Sequence, residues 1–121
     1  MPIMSTRETS SVSYFVRYEG NAESPAAFLQ YYRDRHVPIL MRFPGLQRIV
    51  LHTPITWQDP FPVTADRFAL VAQMIFDSQR DLNAALQSEA RSIARGDFGN
   101  FPPFHGLVFH QAALSEEVFS K

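Results

Sequence analysis

The chain has 121 residues and no cysteine. That length suits one domain, and the missing thiols exclude a disulfide framework, a thiolate nucleophile and a Cys-ligated zinc. Lys plus Arg number 11 and Asp plus Glu 12, for a formal net charge of -1, which lacks the basic excess of a nucleic-acid binder. Apolar residues at 45% and charged residues at 19% mark a folded chain. No apolar stretch is long enough to span a membrane. The polar opening has no signal-peptide core, so the sequence reads as cytoplasmic.

Met1 to Ser11 is rich in Ser and Thr and is expected to be loose. Val12 to Tyr18 alternates, with Val12, Tyr14, Val16 and Tyr18 on one face and Ser13, Phe15 and Arg17 on the other, which predicts a strand. Gly20-Asn21 reads as the turn after it. Ser24-Pro25 is an N-cap followed by Pro at the first helical position. From there Phe28, Leu29, Tyr32 and His36 make one stripe of a helix that runs to about Arg35. Pro38 is expected to break it, with a further short turn over Ile39 to Arg42, and Pro44-Gly45 precedes a second strand, Leu46 to His52, with Gln47, Ile49 and Leu51 on one face and Leu46, Arg48, Val50 and His52 on the other.

Thr53 to about Asp66 is a long connection with three prolines, Trp57 and Phe61, of a length typical of a lid or contact surface. A third strand follows over Arg67 to Phe76, with Phe68, Leu70, Ala72, Met74 and Phe76 on one face. Ser78 caps a second helix with Leu82, Ala85, Leu86, Ala90 and Ile93 as its apolar stripe and Gly96 as its stop. Phe104 to Leu114 is the fourth strand, and Ser115 to Lys121 a polar tail. Twice over, the order is strand, helix, strand. That predicts an α+β, ferredoxin-like βαββαβ domain over 12–114: a four-stranded antiparallel sheet with two helices on one face.

Two helices cover only one face of such a sheet. Strands three and four nevertheless place apolar residues on both faces, with Ala69, Val71 and Ile75 opposite Leu70, Ala72 and Met74, and Leu107 and Phe109 opposite Phe104 and Val108. A second apolar face predicts a two-fold homodimer packed sheet to sheet. The competing reading puts part of that face under the long connection.

No nucleophile elbow, phosphate loop or dinucleotide fingerprint occurs, and the 5 glycines are scattered. Of the 4 histidines, His105 and His110 are five apart and point to opposite faces of a regular strand, so no metal site and no cofactor are expected. His36 is the best candidate for chemistry. It lies on the inward stripe at a helix end, where the helix dipole favours the imidazolium and burial opposes it. A buried histidine that only bonds a backbone carbonyl is the alternative. His110 ranks second. Tyr14, Tyr18, Tyr31 and Tyr32 offer hydroxyls to a ligand oxygen, though core packing with a wet tip is the commoner role, and Trp57, Phe98, Phe101 and Phe104 offer walls for an apolar pocket, which ordinary packing and the dimer seam explain as well.

Tyr32-Arg33-Asp34-Arg35-His36-Val37-Pro38-Ile39, followed by Pro44-Gly45-Leu46, resembles the EthD-type branch of the dimeric α+β barrel superfamily. In that branch a helix ends in His, then x-Pro-Leu or x-Pro-Ile, then Pro-Gly-Leu into strand two. Asp97-Phe98 and Asn100-Phe101 loosely match an acidic, Phe-containing stretch before the last strand. The family takes its name from an ether-degradation gene cluster, and related proteins include methylmuconolactone methylisomerases and cofactor-free oxygenases. The resemblance implies a homodimer whose subunits each hold an apolar pocket for a hydrophobic small molecule, with His36 in it. The cysteines of some of those isomerases have no counterpart here. The resulting expectation is a cofactor-independent catabolic enzyme using His36 as general acid/base, with Tyr14, Tyr32, Trp57, Phe104 and His110 binding the substrate. Its rivals are a non-catalytic accessory or small-molecule-binding protein and a cofactor-free monooxygenase.

Overall fold

A computed structural model describes residues 10–121. Most of the loose segment expected over 1–11 lies outside the described residues. Along the chain come β1 (Val12–Ala22), α1 (Pro25–Tyr31), a π-helical turn (Tyr32–His36), α2 (Val37–Leu40), β2 (Leu46–His52) and β3 (Phe68–Phe76). There follow α3 (Gln79–Leu86), α4 (Glu89–Asp97), a 3-10 turn (Phe98–Asn100) and β4 (Phe104–Leu114). The strands form one antiparallel sheet in the order β2-β3-β1-β4. This is the ferredoxin-like α+β fold expected from the strand and helix order. Among the described residues no helix is long and apolar enough to cross a membrane.

The two central strands carry the core. Val12, Tyr14, Val16 and Tyr18 of β1 and Leu70, Ala72, Met74 and Phe76 of β3 are all buried. Phe28, Tyr32, Leu40 and Phe43 pack on them from the first helical segment, and Leu82, Ala85, Ala90 and Ala94 from the second. Full burial of one such large apolar side chain contributes about 1.5–3 kcal/mol.

In the strands, three local expectations change. Gly20-Asn21 does not turn; β1 continues to Ala22, pairing Gly20 with Gly106 and Asn21 with His105. Both glycines have positive φ, +135° at Gly20 and +159° at Gly106, and a Cβ on Gly20 would lie 2.2 Å from the His105 carbonyl oxygen. The missing side chains are what let these two strands stay paired. In β2 a register shift between Leu46 and Arg48 places Leu46 on the same inner face as Ile49 and Leu51, where strict alternation had put it on the other. A second shift at Tyr18/Glu19 opposes Glu19 to Phe68, so Phe68 parts from the inner row of Leu70 and Ala72.

The helices differ as well. Pro38 does not end the first one. The Val37 N–H donates to the Tyr32 carbonyl, five residues back, and the chain resumes as α2. The wide turn seats a proline that has no N–H and whose ring crowds an ordinary α-turn. The second helix, expected as one piece to Gly96, is two. Ser78 and Ser88 each cap a segment, their hydroxyls accepting from Asp81 N–H and Arg91 N–H. The break at Gln87 re-phases the stripe, so Ala94 and Asp97 are buried and Ile93 is 37% exposed.

The Gly20–Gly106 contact yields a direct test. In Gly106→Ala the new Cβ would lie 1.9 Å from the Glu19 carbonyl oxygen, whereas at Gly99 it would meet nothing within 4 Å. Urea unfolding should show Gly106→Ala destabilised by about 1–3 kcal/mol from backbone strain alone, and Gly99→Ala within about 0.5 kcal/mol of the parent.

Candidate functional site

Between the helices and the inner face of the sheet lies a cavity of about 320 Å³, at the lower end of the range for small-molecule sites. Val16, Leu40, Phe43, Met74, Ala94 and Val108 make its apolar wall. Its polar groups are Tyr14, Tyr18, Tyr32, His36, Arg91, Arg95 and His110.

His36 is brought here by the π-helical turn and is 5% exposed. Because α2 continues the helix, His36 does not sit at a helix C-terminus, and the dipole argument for its protonation lapses. A carboxylate takes that part. His36 Nδ1 lies 2.9 Å from Asp97 Oδ2, across 61 residues of sequence. Asp97, at the end of α4, is itself buried, and its Oδ1 accepts from the Tyr31 hydroxyl at 2.8 Å and Asn100 Nδ2 at 3.1 Å. The imidazole packs against two rings that also touch each other, with Tyr32 and Phe101 centroids each 4.8 Å from its own and 5.7 Å apart.

Burial raises the Asp97 carboxyl, but hydrogen bonds from His36, Asn100 and Tyr31 together outweigh it and hold the group below the ordinary carboxylate range. Asp97 is therefore ionised at neutral pH and can only accept, so the proton between the pair resides on His36 Nδ1. Nε2 then carries a bare lone pair. It has no hydrogen-bond partner, and no buried side-chain nitrogen or oxygen among the described residues lacks one, so Nε2 reaches open space. Burial pushes the His36 pKa down, and the hydrogen bond and charge of Asp97 only partly restore it. The imidazole is thus neutral at pH 7 and is a base rather than an acid in the resting state.

A second polar group lines the same cavity. The Tyr14 hydroxyl lies 2.6 Å from His110 Nδ1 and accepts from Arg91 Nη2 at 3.3 Å. Burial, then the charges of Arg91 and Arg95, lower the His110 pKa. Deeper in, the Tyr18 and Tyr32 hydroxyls are 3.5 Å apart, and burial pushes the Tyr18 phenol up to about 12 and Tyr32 well above its ordinary value. Neither ionises near neutrality.

Of the six residues singled out from the sequence, His36, Tyr14, Tyr32 and His110 line the cavity together. Phe104 packs edge-on against Tyr18 at 5.9 Å and beside Phe28 at 5.6 Å, bracing the wall without lining it. Trp57 lies in the connection between β2 and β3, 52% exposed, and does not line the cavity. Phe98, a candidate wall in the sequence, lines the cavity as well. Asp97 entered the sequence reading only through the acidic, Phe-containing stretch, and Arg91 and Arg95 escaped it. A signal for the two arginines was present: with Phe98 they fall at i, i+4 and i+7, one helical stripe. Nothing local pairs Asp97 with His36. Among the described residues no group of three or more His, Cys, Asp or Glu converges to hold a metal.

A ferredoxin-like sheet with a buried histidine–carboxylate pair opening into an apolar cavity defines the class of protein. The sequence profile of the EthD domain matches residues 21–102, more than half of the chain, and the protein belongs to the EthD family. An EthD-family protein from Bacillus halodurans is similar in structure, with 20% identity and a TM-score of 0.62, over 89% of this chain and 99% of that one. An EthD-like protein from Ralstonia eutropha has 19% identity and a TM-score of 0.61, over 93% and 96%. SnoaB, a cofactor-independent oxygenase from Streptomyces nogalater, has 15% identity and a TM-score of 0.55, over 93% and 97%. At these identities the likeness is one of fold. No curated protein sequence matches the chain.

The pair predicts a pH response. His36 has a lowered pKa in the folded chain, so between that value and the ordinary one near 6.5 the unfolded chain binds more protons. The stability it contributes is present above pH 6.5 or so and is lost as pH falls through the folded value. Asp97→Asn removes the charge that favours the imidazolium. Histidine NMR titration should then find His36 shifted further down; an upward shift would mean that Asp97 does not govern this ring.

Proposed function

We propose that this protein is a small cofactor-independent catabolic enzyme in which His36, oriented by Asp97, removes a proton next to a carbonyl of a hydrophobic, oxygenated substrate. The observation that carries the reading is the 2.9 Å contact between His36 Nδ1 and Asp97 Oδ2, which leaves Nε2 basic and facing the cavity. Asp97 fixes the tautomer and stabilises the imidazolium once it forms. Tyr14, Tyr32 and His110 hold substrate oxygens, and the apolar wall excludes water from the developing anion. Trp57 and Phe104 have supporting roles here, at the surface and behind the wall. The absence of cysteine agrees with a cytoplasmic setting.

The fate of the anion separates two chemistries. Reprotonation at another carbon gives an isomerase. The likeness to SnoaB favours a second reading, a monooxygenase in which the anion gives electrons directly to dioxygen. Oxygen uptake by metal- and flavin-free protein distinguishes them. His36→Gln should lower turnover on the true substrate by about a hundred- to ten-thousand-fold, with circular dichroism and ligand binding retained. A variant with parental turnover, or a parent that binds ligand and transforms none, would make the protein an accessory or carrier instead.

We further propose a homodimer closed through the outer sheet face. Leu107 and Phe109 of β4 are 65% and 41% exposed there, and Phe15 and Val71 beside them are only half-buried. An uncovered apolar sheet face of this kind is a typical interface. Sedimentation at micromolar concentration should give twice the subunit mass for the parent and a single-subunit mass for Phe109→Glu. A monomeric parent would remove the dimer.

A further inference from the structure

The proton-transfer reading assigns His36, His110, Tyr14 and Tyr32 of the cavity and leaves its two arginines without a task. Arg91 and Arg95 both line the space. Neither has a carboxylate within ion-pair distance among the described residues. Asp97 is two positions from Arg95, but its two oxygens are already engaged by His36, Tyr31 and Asn100. Arg91 donates to the Leu86 carbonyl at 3.3 Å and to the Tyr14 hydroxyl at 3.3 Å, and its guanidinium lies 5.9 Å from the centre of the Tyr14 ring. A guanidinium has five N–H donors, so most of the hydrogen-bonding capacity of the two side chains is unspent.

Arg91 is half-buried and Arg95 exposed, so water satisfies both until an occupant displaces it, and an anion is the occupant that replaces what that water supplied. The alternative occupant, a neutral ether or hydrocarbon, would strip water from both guanidinium groups and return no charge. A carboxylate would be met by the planar fork that suits it best. With His110 protonated on Nδ1, the Tyr14 oxygen accepts from both His110 and Arg91, and its O–H is free to donate to the second carboxylate oxygen. The cavity volume, about 320 Å³, has room for a planar skeleton of one or two fused rings beside such a group.

We propose that the ligand is an aromatic or unsaturated cyclic carboxylic acid, bound as its anion with the carboxylate on Arg91 and Arg95 and the ring against the apolar wall. This rests on the reading that the cavity is the substrate site, and it narrows the substrate from an oxygenated hydrophobe to an organic acid. Arg91 and Arg95 are then specificity residues, and His36 acts on a carbon of the same ring system.

Binding measured by calorimetry on the intact protein tests this without knowledge of the reaction. The probes are 2-naphthoate, its methyl ester and 2-naphthol. The expected result is that 2-naphthoate binds about tenfold or more tightly than the two neutral probes and loses that advantage at high salt. Arg95→Gln, at an exposed position on α4, and Arg91→Gln should each remove about tenfold of the naphthoate affinity and leave the ester unchanged. Arg91→Lys should restore part of it. His36→Gln should bind naphthoate as the parent does, so a failure of the catalytic reading shows in turnover and a failure of this one in affinity. Equal affinity for acid and ester in the parent would overturn the proposal, as would arginine variants with unchanged naphthoate binding.

Discussion

The hydrogen bond between His36 and Asp97 joins two parts of the chain that no local rule connects. One end sits on the first helical segment, the other at the close of the second, and both are buried. An ionised carboxylate in that position is tolerable because three donors satisfy it: the imidazole, the Tyr31 hydroxyl and the Asn100 amide. Each donor comes from an element that must already be in place. The pair therefore reports correct packing of both helical layers on the sheet, and its chemistry is only as good as that packing.

The helical irregularities make sense around this contact. The π-helical turn at Tyr32–His36 lets the chain absorb Pro38 and run on to Leu40 and Phe43, which form part of the cavity wall. The break at Gln87 turns α4 so that Arg91, Ala94 and Arg95 face the cavity and Asp97 reaches His36. An unbroken pair of helices with the stripes read from the sequence would have placed Ile93 there instead. Departures from regular helix are where a site is most often found, and both departures here contribute side chains to one cavity.

Aromatic packing supplies the rigidity. Tyr18, Phe28, Tyr32, Phe101 and Phe104 meet in edge-on, tilted and, for Phe28 on Tyr32, stacked contacts with centroids 5.5–6.5 Å apart. These rings fill the end of the core beside the cavity and fix the plane of the His36 imidazole. Three of the 11 phenylalanines, Phe28, Phe101 and Phe104, are used in this way. Phe104 belongs to that scaffold, and for that reason it is absent from the cavity wall.

Alternation in β1 and β3 determined the inner face from the sequence alone, because a strand buried between neighbours on both sides has little freedom of register. The ferredoxin-like order and the placement of His36, Tyr14 and Tyr32 toward one interior followed from the same periodicities, whereas His110 was left inward or dimer-facing until the register of β4 put it in the cavity. Tertiary structure decided the rest. Gly20 paired with Gly106 because close approach of two strands is a property of both, and neither glycine's neighbours encode it. Asp97 met His36 because two helices, each irregular in its own way, were docked on one sheet. Periodicity records which way a side chain points from its own backbone; it carries no information on what arrives from 61 residues away to receive it.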